Sequence, residues 1–318
     1  MLTRRLLLAA PALLAAAPAL AAWPEKSLRL VVPVVPGGSQ DVFARLLARG
    51  ISERIGQSLV VENRAGAGGN VAYEAVAHER PDGYTLLAGA DPLSINPALF
   101  ARAGFDPVRD FAPVVEGVRV AQILVVRADS RFASLEQLVQ AAARGEAVSV
   151  GTPGNGSLAH LILAQLGATS GANFTHVPYR GGAPAVNDLL GGTLSAVAIN
   201  IGAVAEAVQA GTLRGLVVSS PERSTTLPAV PTLAELGLQE LTAVGWHGIV
   251  APAGTDAAIV LRLNRAARDA LADASLRDRL AKLGLEPVDE PPEALGAKIA
   301  ADAARWAPVI RALSIRAD

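Results

Sequence analysis

Residues 28–55 read LRLVVPVVPGGSQDVFARLLARGISERI, a strand, a glycine turn and a helix in direct succession. Leu28-Arg29-Leu30-Val31-Val32 has the continuous apolar character of a largely buried strand. Pro36-Gly37-Gly38 turns the chain, and Ser39 or Asp41 is placed to cap the next helix. Val42, Phe43, Leu46, Leu47, Ile51 and Ile55 then recur at three- and four-residue spacing, so one helical face is apolar until Gly56 stops it. This grammar repeats along the chain. A second strand, 59–62, leads into Gly66-Ala67-Gly68-Gly69-Asn70 and a short helix ending near Arg80, and a third strand covers 84–88. Further on, a strand over 148–151 opens a glycine-rich loop, 152–156, and a helix over 157–166. Strands follow at 174–178, 196–200, 213–218 and 246–250, and the chain is helical from Asp256 onward. Such alternation predicts parallel sheet covered by helices, an α/β fold. Three separate strand–glycine–helix units need more than one sheet edge, so two lobes are expected.

Composition narrows the function. Of 318 residues, 51% are hydrophobic and 18% charged, with a formal net charge of −1, which excludes a disordered chain. The chain has no cysteine, so disulfides, thiol nucleophiles, cysteine-ligated zinc and iron–sulfur clusters are excluded. Its 28 basic residues include only Lys26, Lys282 and Lys298 as lysines and form no cluster, which argues against a nucleic-acid partner. At the N-terminus, Arg4 and Arg5 precede an apolar run, 6–20, and Ala19-Leu20-Ala21 supplies a signal-peptidase site. Residues 1–21 therefore read as a signal peptide. Thr3-Arg4-Arg5-Leu6 loosely resembles a twin-arginine signal, so the route is Sec or Tat. The best later apolar stretch, 194–208, is broken by Asn200 and Glu206 and is too short to span a bilayer.

Three glycine loops each open a helix, where free backbone amides and the dipole favour an anion. They are Gly37-Gly38-Ser39, Gly66 to Asn70, and Gly151 to Ser157. None is a nucleotide motif. Val71 stands where a dinucleotide fingerprint needs glycine, and no lysine precedes Ser157 as a P-loop requires. For any single loop an ordinary turn is the alternative; three in one chain favour a ligand. His78, His160, His176 and His247 show no metal-site spacing. Ser157 and His160 lie one helical turn apart, which leaves a secreted α/β hydrolase as the rival reading, although no G-x-S-x-G elbow surrounds the serine. His160 packing under its loop is the plainer role. Arg64 and Arg180 flank glycine loops as counter-charges or solvated side chains.

Eight stretches in order carry a family resemblance: PGGSQDVFAR from Pro36, VVENRAGAGG from Val60, PDGYTLL from Pro81, DFAPV from Asp110, GTPGNGSLAHL from Gly151, HVPYRGGAPAVNDLLGG from His176, LPAVPTLAELG from Leu227 and WHGIVAPAGT from Trp246. The chain resembles the solute-binding proteins of tripartite tricarboxylate transporters, the Bug or TctC-like proteins. The resemblance implies a type II, Venus-flytrap periplasmic binding protein, with a hinge between lobe 1 (22–122 and 244–318) and lobe 2 (123–243). It implies a periplasmic monomer that captures a small carboxylate, hands it to the membrane permease subunits, uses no cofactor or metal and catalyses nothing. Carried over by position, the ligand residues are Gly37, Gly38 and Ser39; Gly66, Ala67, Gly68, Gly69 and Asn70; Thr152, Gly154, Asn155, Gly156 and Ser157; and Asn200. Two departures bear on specificity. Ala65 replaces the family's usual proline, and Ile199 stands where many members carry Asp, so a polar partner for the ligand's distal end is expected to be missing.

Overall fold

The computed structural model describes residues 23–317; the expected signal peptide, 1–21, lies outside the described residues. Its strands are β1 (Leu28–Val32), β2 (Leu59–Asn63), β3 (Thr85–Ala90), β4 (Phe111–Arg127), β5 (Val148–Thr152), β6 (Phe174–Pro178), β7 (Ala196–Asn200), β8 (Leu213–Val218), β9 (Val244–Pro252) and β10 (Glu286–Pro287). The helices are α1 (Ser39–Ile55), α2 (Asn70–Ala77), α3 (Asp91–Leu99), α4 (Leu135–Ala143), α5 (Leu158–Ser170), α6 (Gly182–Leu190), α7 (Ala205–Gln209), α8 (Ala257–Leu271), α9 (Ala274–Lys282) and α10 (Pro292–Ala312). No helix among the described residues is long and apolar enough to cross a membrane.

The strands form two lobes that share one strand. In the first, the order is β2-β1-β3-β9-β4, with β10 also on β4. β1 pairs in parallel with β2 and β3, and β9 runs antiparallel to both β3 and β4. In the second, the order is β6-β5-β7-β4-β8, with β5 parallel to β6 and β7, and β4 antiparallel to β7 and β8. Residues 111–121 of β4 pair with β9, and residues 122–127 pair with β7 and β8. Sequence reading did not find β4. Its ladder to β9 shifts register twice, at Pro113/Val115 and Glu116/Val118. These bulges break the strict alternation that marks a strand.

Side-chain period assigns the layers. Leu28, Leu30 and Val32 of β1 point to the cluster containing Phe43, Leu47 and Ile51 of α1 and Leu263, Ala267 and Leu271 of α8. Val31 points the opposite way, towards Tyr73 and Val76 of α2, Trp246, and Leu295 and Ile299 of α10. A strand buried on both faces reads as a solid apolar run, which is how β1 appears in the sequence. In the second lobe, α4 and α5 cover one face and α6 the other.

α10 belongs to both cores. Leu295 and Ile299 lie in the first-lobe cluster, whereas Trp306 and Ile310 lie with Leu158, Leu161 and Ile162 of α5. It also grips the returning chain. Lys298 Nζ donates to the Val244 carbonyl at 3.1 Å, and Arg305 donates to the carbonyls of Thr242 and Glu240 at 2.7 and 3.1 Å. The lobes meet again at two glycines. A Cβ on Gly202, just after β7, would fall 1.8 Å from the Leu283 carbonyl oxygen.

His247 on β9 is the least satisfied polar group in the first core. It is 9% exposed, packs beside Phe43, and neither ring nitrogen has a hydrogen-bond partner among the described residues. Burial pushes its pKa down from 6.5 to about 4. The unfolded chain therefore takes up this proton first. The ring costs no protonation free energy above about pH 6.5, and stability falls as pH drops from there towards about 4. His247→Leu is expected to stabilise the protein at pH 7 by about 1–3 kcal/mol by removing unpaired buried polar atoms. It should also flatten part of the acid limb. Urea titrations at pH 7 and pH 5 check both.

Candidate functional site

Topology turns the glycine loops towards one another. β9 is antiparallel to both β3 and β4, so β4 runs with β1–β3 and leaves the first sheet at their C-terminal ends. It enters the second sheet antiparallel to β7 and meets the C-terminal ends of β5 and β7 first. The C-terminal edges of both parallel sets therefore face the same opening, where ligands of open α/β sheets bind. The loops after β1, β2 and β5, with Asn200 at the end of β7, all lie on these edges.

The β1–α1 loop presents Gly37 and Gly38 to solvent with Ser39 half-buried. An ideal Cβ on either glycine would meet nothing within 4 Å. The cap differs from the sequence reading. Gly38 is the N-cap, in extended backbone (φ −74, ψ 164), and neither Ser39 nor Asp41 caps through its side chain. Asp41 instead reaches back and accepts the Gly37 amide at 2.9 Å, while Arg45 and Asn63 also donate to it. Burial opposes its ionisation, but these hydrogen bonds hold the carboxyl below its usual value. The Gly37 amide is thus spent inside the protein, and the amides this loop leaves without an intrahelical partner are those of the first helical turn.

The second loop keeps Gly66, Ala67 and Gly68 exposed and buries Gly69 and Asn70. Gly68 (φ +63) lies beneath Phe100, and Gly69 (φ +101) against Tyr73, so both left-handed backbone and close packing demand glycine there. The Asn70 side chain points inward. Its Oδ1 accepts from Asn96 Nδ2 at 2.7 Å, and Asn96 also donates to the Gly68 carbonyl at 2.9 Å. Asn96, which sequence reading did not single out, therefore braces this loop from α3.

In the third loop Thr152 is fully buried, its hydroxyl 2.7 Å from His176 Nε2 and hydrogen-bonded to the Gly154 carbonyl at 3.3 Å. Asn155 is exposed. Gly156 (φ +70) is buried, with Leu99 of α3 where its Cβ would stand, so the first lobe touches this loop directly. Ser157 caps α5: its Oγ accepts the His160 backbone amide at 3.3 Å. The His160 ring is turned elsewhere, its Nδ1 accepting the Gly156 amide at 3.0 Å. A hydrolase needs a bare imidazole nitrogen on the serine hydroxyl; no such hydrogen bond forms among the described residues, and with Nδ1 accepting, the neutral ring carries its proton on Nε2. The Ser157–His160 catalytic reading is overturned, and His160 holds its loop from below.

Asn200 is half-buried, and its Oδ1 accepts the Ala203 amide at 3.1 Å. Ile199 beside it is fully buried, its Cδ1 only 2.3 Å from where a Gly182 Cβ would stand. Strand alternation sends Ile199 into the core beneath α6, so its apolar character removes no polar group from the opening. Arg64 is paired with Glu62 at 3.1 Å, and Arg180 is exposed. Sequence reading missed the start of α6. Gly181 (φ +106) has open space around its Cβ position and follows β6 in the same strand–glycine–helix order. The pair Gly181-Gly182 was the available signal. No group of three or more metal-ligating side chains occurs among the described residues.

The profile of the tripartite tricarboxylate transporter family receptor matches residues 43–315. The chain is 39% identical to the protein BugT of Bordetella pertussis over 292 residues, covering 91% of this chain and 90% of that one. Among solved structures, an R. palustris protein with adipate superposes with a TM-score of 0.83 at 33% identity, covering 92% of this chain and 99% of that one. MatC from Rhodopseudomonas palustris with bound malate superposes with a TM-score of 0.80 at 30% identity, covering 91% and 100%.

Proposed function

Because this chain belongs to the tripartite tricarboxylate transporter receptor family, a family of solute-binding proteins and not of enzymes, we propose that it captures a small mono- or dicarboxylate between its lobes. The observation that carries this reading is the convergence of helix starts from both lobes on one opening. Free backbone amides there supply positive potential without a lysine, which suits reversible capture of a carboxylate. Solved relatives hold adipate and malate, both dicarboxylates.

In this reading the lobes divide at 122/123 and 243/244. The first lobe offers Gly37, Gly38 and Ser39 with Gly66, Ala67, Gly68, Gly69 and Asn70, and the second offers Thr152, Gly154, Asn155, Gly156, Ser157 and Asn200. Gly37, Asn70 and Thr152 shape the loops, because their amide or side-chain groups are already spent. Ser39, the first-turn amides of α1 and the Ser157 hydroxyl, which accepts from its own helix and keeps its proton free to donate, contact the anion. The protein is exported by Sec or Tat with loss of residues 1–21, works in the periplasm as a monomer and delivers its ligand to membrane permease subunits.

A thermal-shift screen with acetate, malate, adipate and citrate tests the ligand class; ligand at 100 times its Kd adds about 2.7 kcal/mol of stability. If no carboxylate shifts the transition, the reading fails. Two substitutions then locate the site by calorimetry. Gly38→Val is expected to abolish binding while changing stability by about 1 kcal/mol or less, since its Cβ meets no protein atom and only a less favourable N-cap is introduced. Ser157→Ala should weaken binding about 10- to 150-fold by losing a hydrogen bond to a charged group. It should also cost about 1 kcal/mol of stability, because the same hydroxyl caps α5. Wild-type affinity in both variants would place the anion elsewhere.

A further inference from the structure

His160 is buried and His176 half-buried, and the proposed binding role uses neither directly. Their rings stack face to face, with centroids 3.7 Å apart and planes within 9°. Each grips one end of the same loop. His160 Nδ1 accepts the Gly156 amide at 3.0 Å, and His176 Nε2 lies 2.7 Å from Thr152 Oγ1, whose hydroxyl bonds Gly154 in turn.

We propose that His160, seated on His176, is a positioning residue that shapes the Thr152–Ser157 loop for an anion by accepting a backbone hydrogen bond without carrying negative charge. The inference rests on the anion-binding reading of that loop. His160 is the third residue of α5, and the helix cap Ser157 accepts its backbone amide. In the familiar capping box a Glu or Gln at this position reaches back to an amide at the helix start. Here the imidazole reaches one residue further, to Gly156. A glutamate would satisfy that amide equally well. It would also place a negative charge inside the first turn, against the potential that attracts a carboxylate. A neutral imidazole is an acceptor at Nδ1 and adds no such charge. Burial and the adjacent His176 push the His160 pKa down to about 4, and burial lowers that of His176 as well. Both rings are therefore neutral at pH 7, and the stack carries no charge repulsion.

Three variants of the full mature chain separate positioning from mere packing. His160→Gln restores a neutral acceptor, His160→Glu an acceptor with charge, and His160→Leu neither. Binding of malate and adipate is measured by calorimetry at pH 7, and protection of the Gly156 amide by hydrogen exchange. The Gln variant is expected to stay within about 3-fold of wild-type affinity and keep Gly156 protected. The Glu variant should keep the amide protected and melt somewhat lower because its charge is buried, yet bind roughly 10-fold more weakly, from one charge held several ångströms from the ligand in a partly screened site. The Leu variant should lose both protection and affinity. Wild-type affinity in the Glu variant overturns the proposal, as does equal Gly156 protection in the Leu variant. If the wild-type protein binds neither dicarboxylate, nor any other carboxylate in the screen, the anion reading fails. The exchange arm still decides whether His160 positions the loop.

Discussion

Gly202→Ala is expected to prop the two lobes apart. Gly202 follows β7 in the second lobe, and Leu283-Gly284 links α9 to β10 in the first. An added Cβ would lie 1.8 Å from the Leu283 carbonyl oxygen, 2.7 Å from its carbon and 3.4 Å from the Gly284 nitrogen. All three are backbone atoms, so no rotamer change relieves the overlap. The contact is reciprocal: a Cβ on Gly284 would fall 2.7 Å from the Gly202 nitrogen. One lobe must therefore retreat from the other. Overpacking of this kind costs about 1–3 kcal/mol. A site that needs donors from both lobes then loses the donors of one, so carboxylate affinity should fall about 100-fold, close to 2.7 kcal/mol. Small-angle scattering with saturating malate or adipate should show a larger radius of gyration than wild type. Leu261→Ala, at a 57% exposed position on α8 away from the opening, is the control for melting temperature and radius of gyration. An unchanged radius and affinity in the Gly202 variant would show that this contact does not limit the approach of the lobes.

Trp306→Ala should be the most destabilising single truncation in the α10 helix. The side chain is 2% exposed and sits in the second-lobe cluster, on a helix whose first half is anchored in the other lobe. Losing a buried tryptophan costs about 3–5 kcal/mol, about a fifth or more of the stability of a typical protein. The loss should not stay local. Arg305 stacks on the Trp306 ring at 4.5 Å and donates to the Thr242 carbonyl, so the grip on the returning chain loosens too. Urea unfolding followed by circular dichroism should show a lower midpoint. With the helical tie between lobes released, two resolved transitions are expected in place of one. Leu313→Ala, at a 37% exposed position just beyond the helix, should cost well under 1 kcal/mol by comparison. Equal effects of the two changes would mean that α10 does not bridge the cores.

Local pattern carried much of the architecture. β1 and α1 are legible because a buried parallel strand is a solid apolar run and a covering helix repeats every three to four residues. The same rules located β5, α5 and the strands near 174, 196 and 213. β4 escaped because its bulges interrupt alternation, and α6 because a glycine pair alone is a weak signal for a helix start. Within the site, backbone features were readable and side-chain directions were not. Asn70, Thr152 and Ile199 look alike in sequence as candidates for ligand contact or specificity. Asn70 turns inward because Asn96, 26 residues away, supplies its partner, Thr152 because His176 lies on the adjacent strand, and Ile199 because α6 closes over it.

The sequence by itself determined the α/β class, the family and the three glycine loops, since each of these depends on residues close together in the chain. Tertiary structure decided that the loops share one opening, because that follows from β4 running parallel to β1–β3 in one sheet and antiparallel to β7 in the other. It also decided that His160 holds a backbone amide instead of activating Ser157, and that α10 ties two cores together. Those outcomes rest on strand pairing, on side-chain partners brought together by the fold and on the contact of one lobe with another. No local window of sequence encodes them.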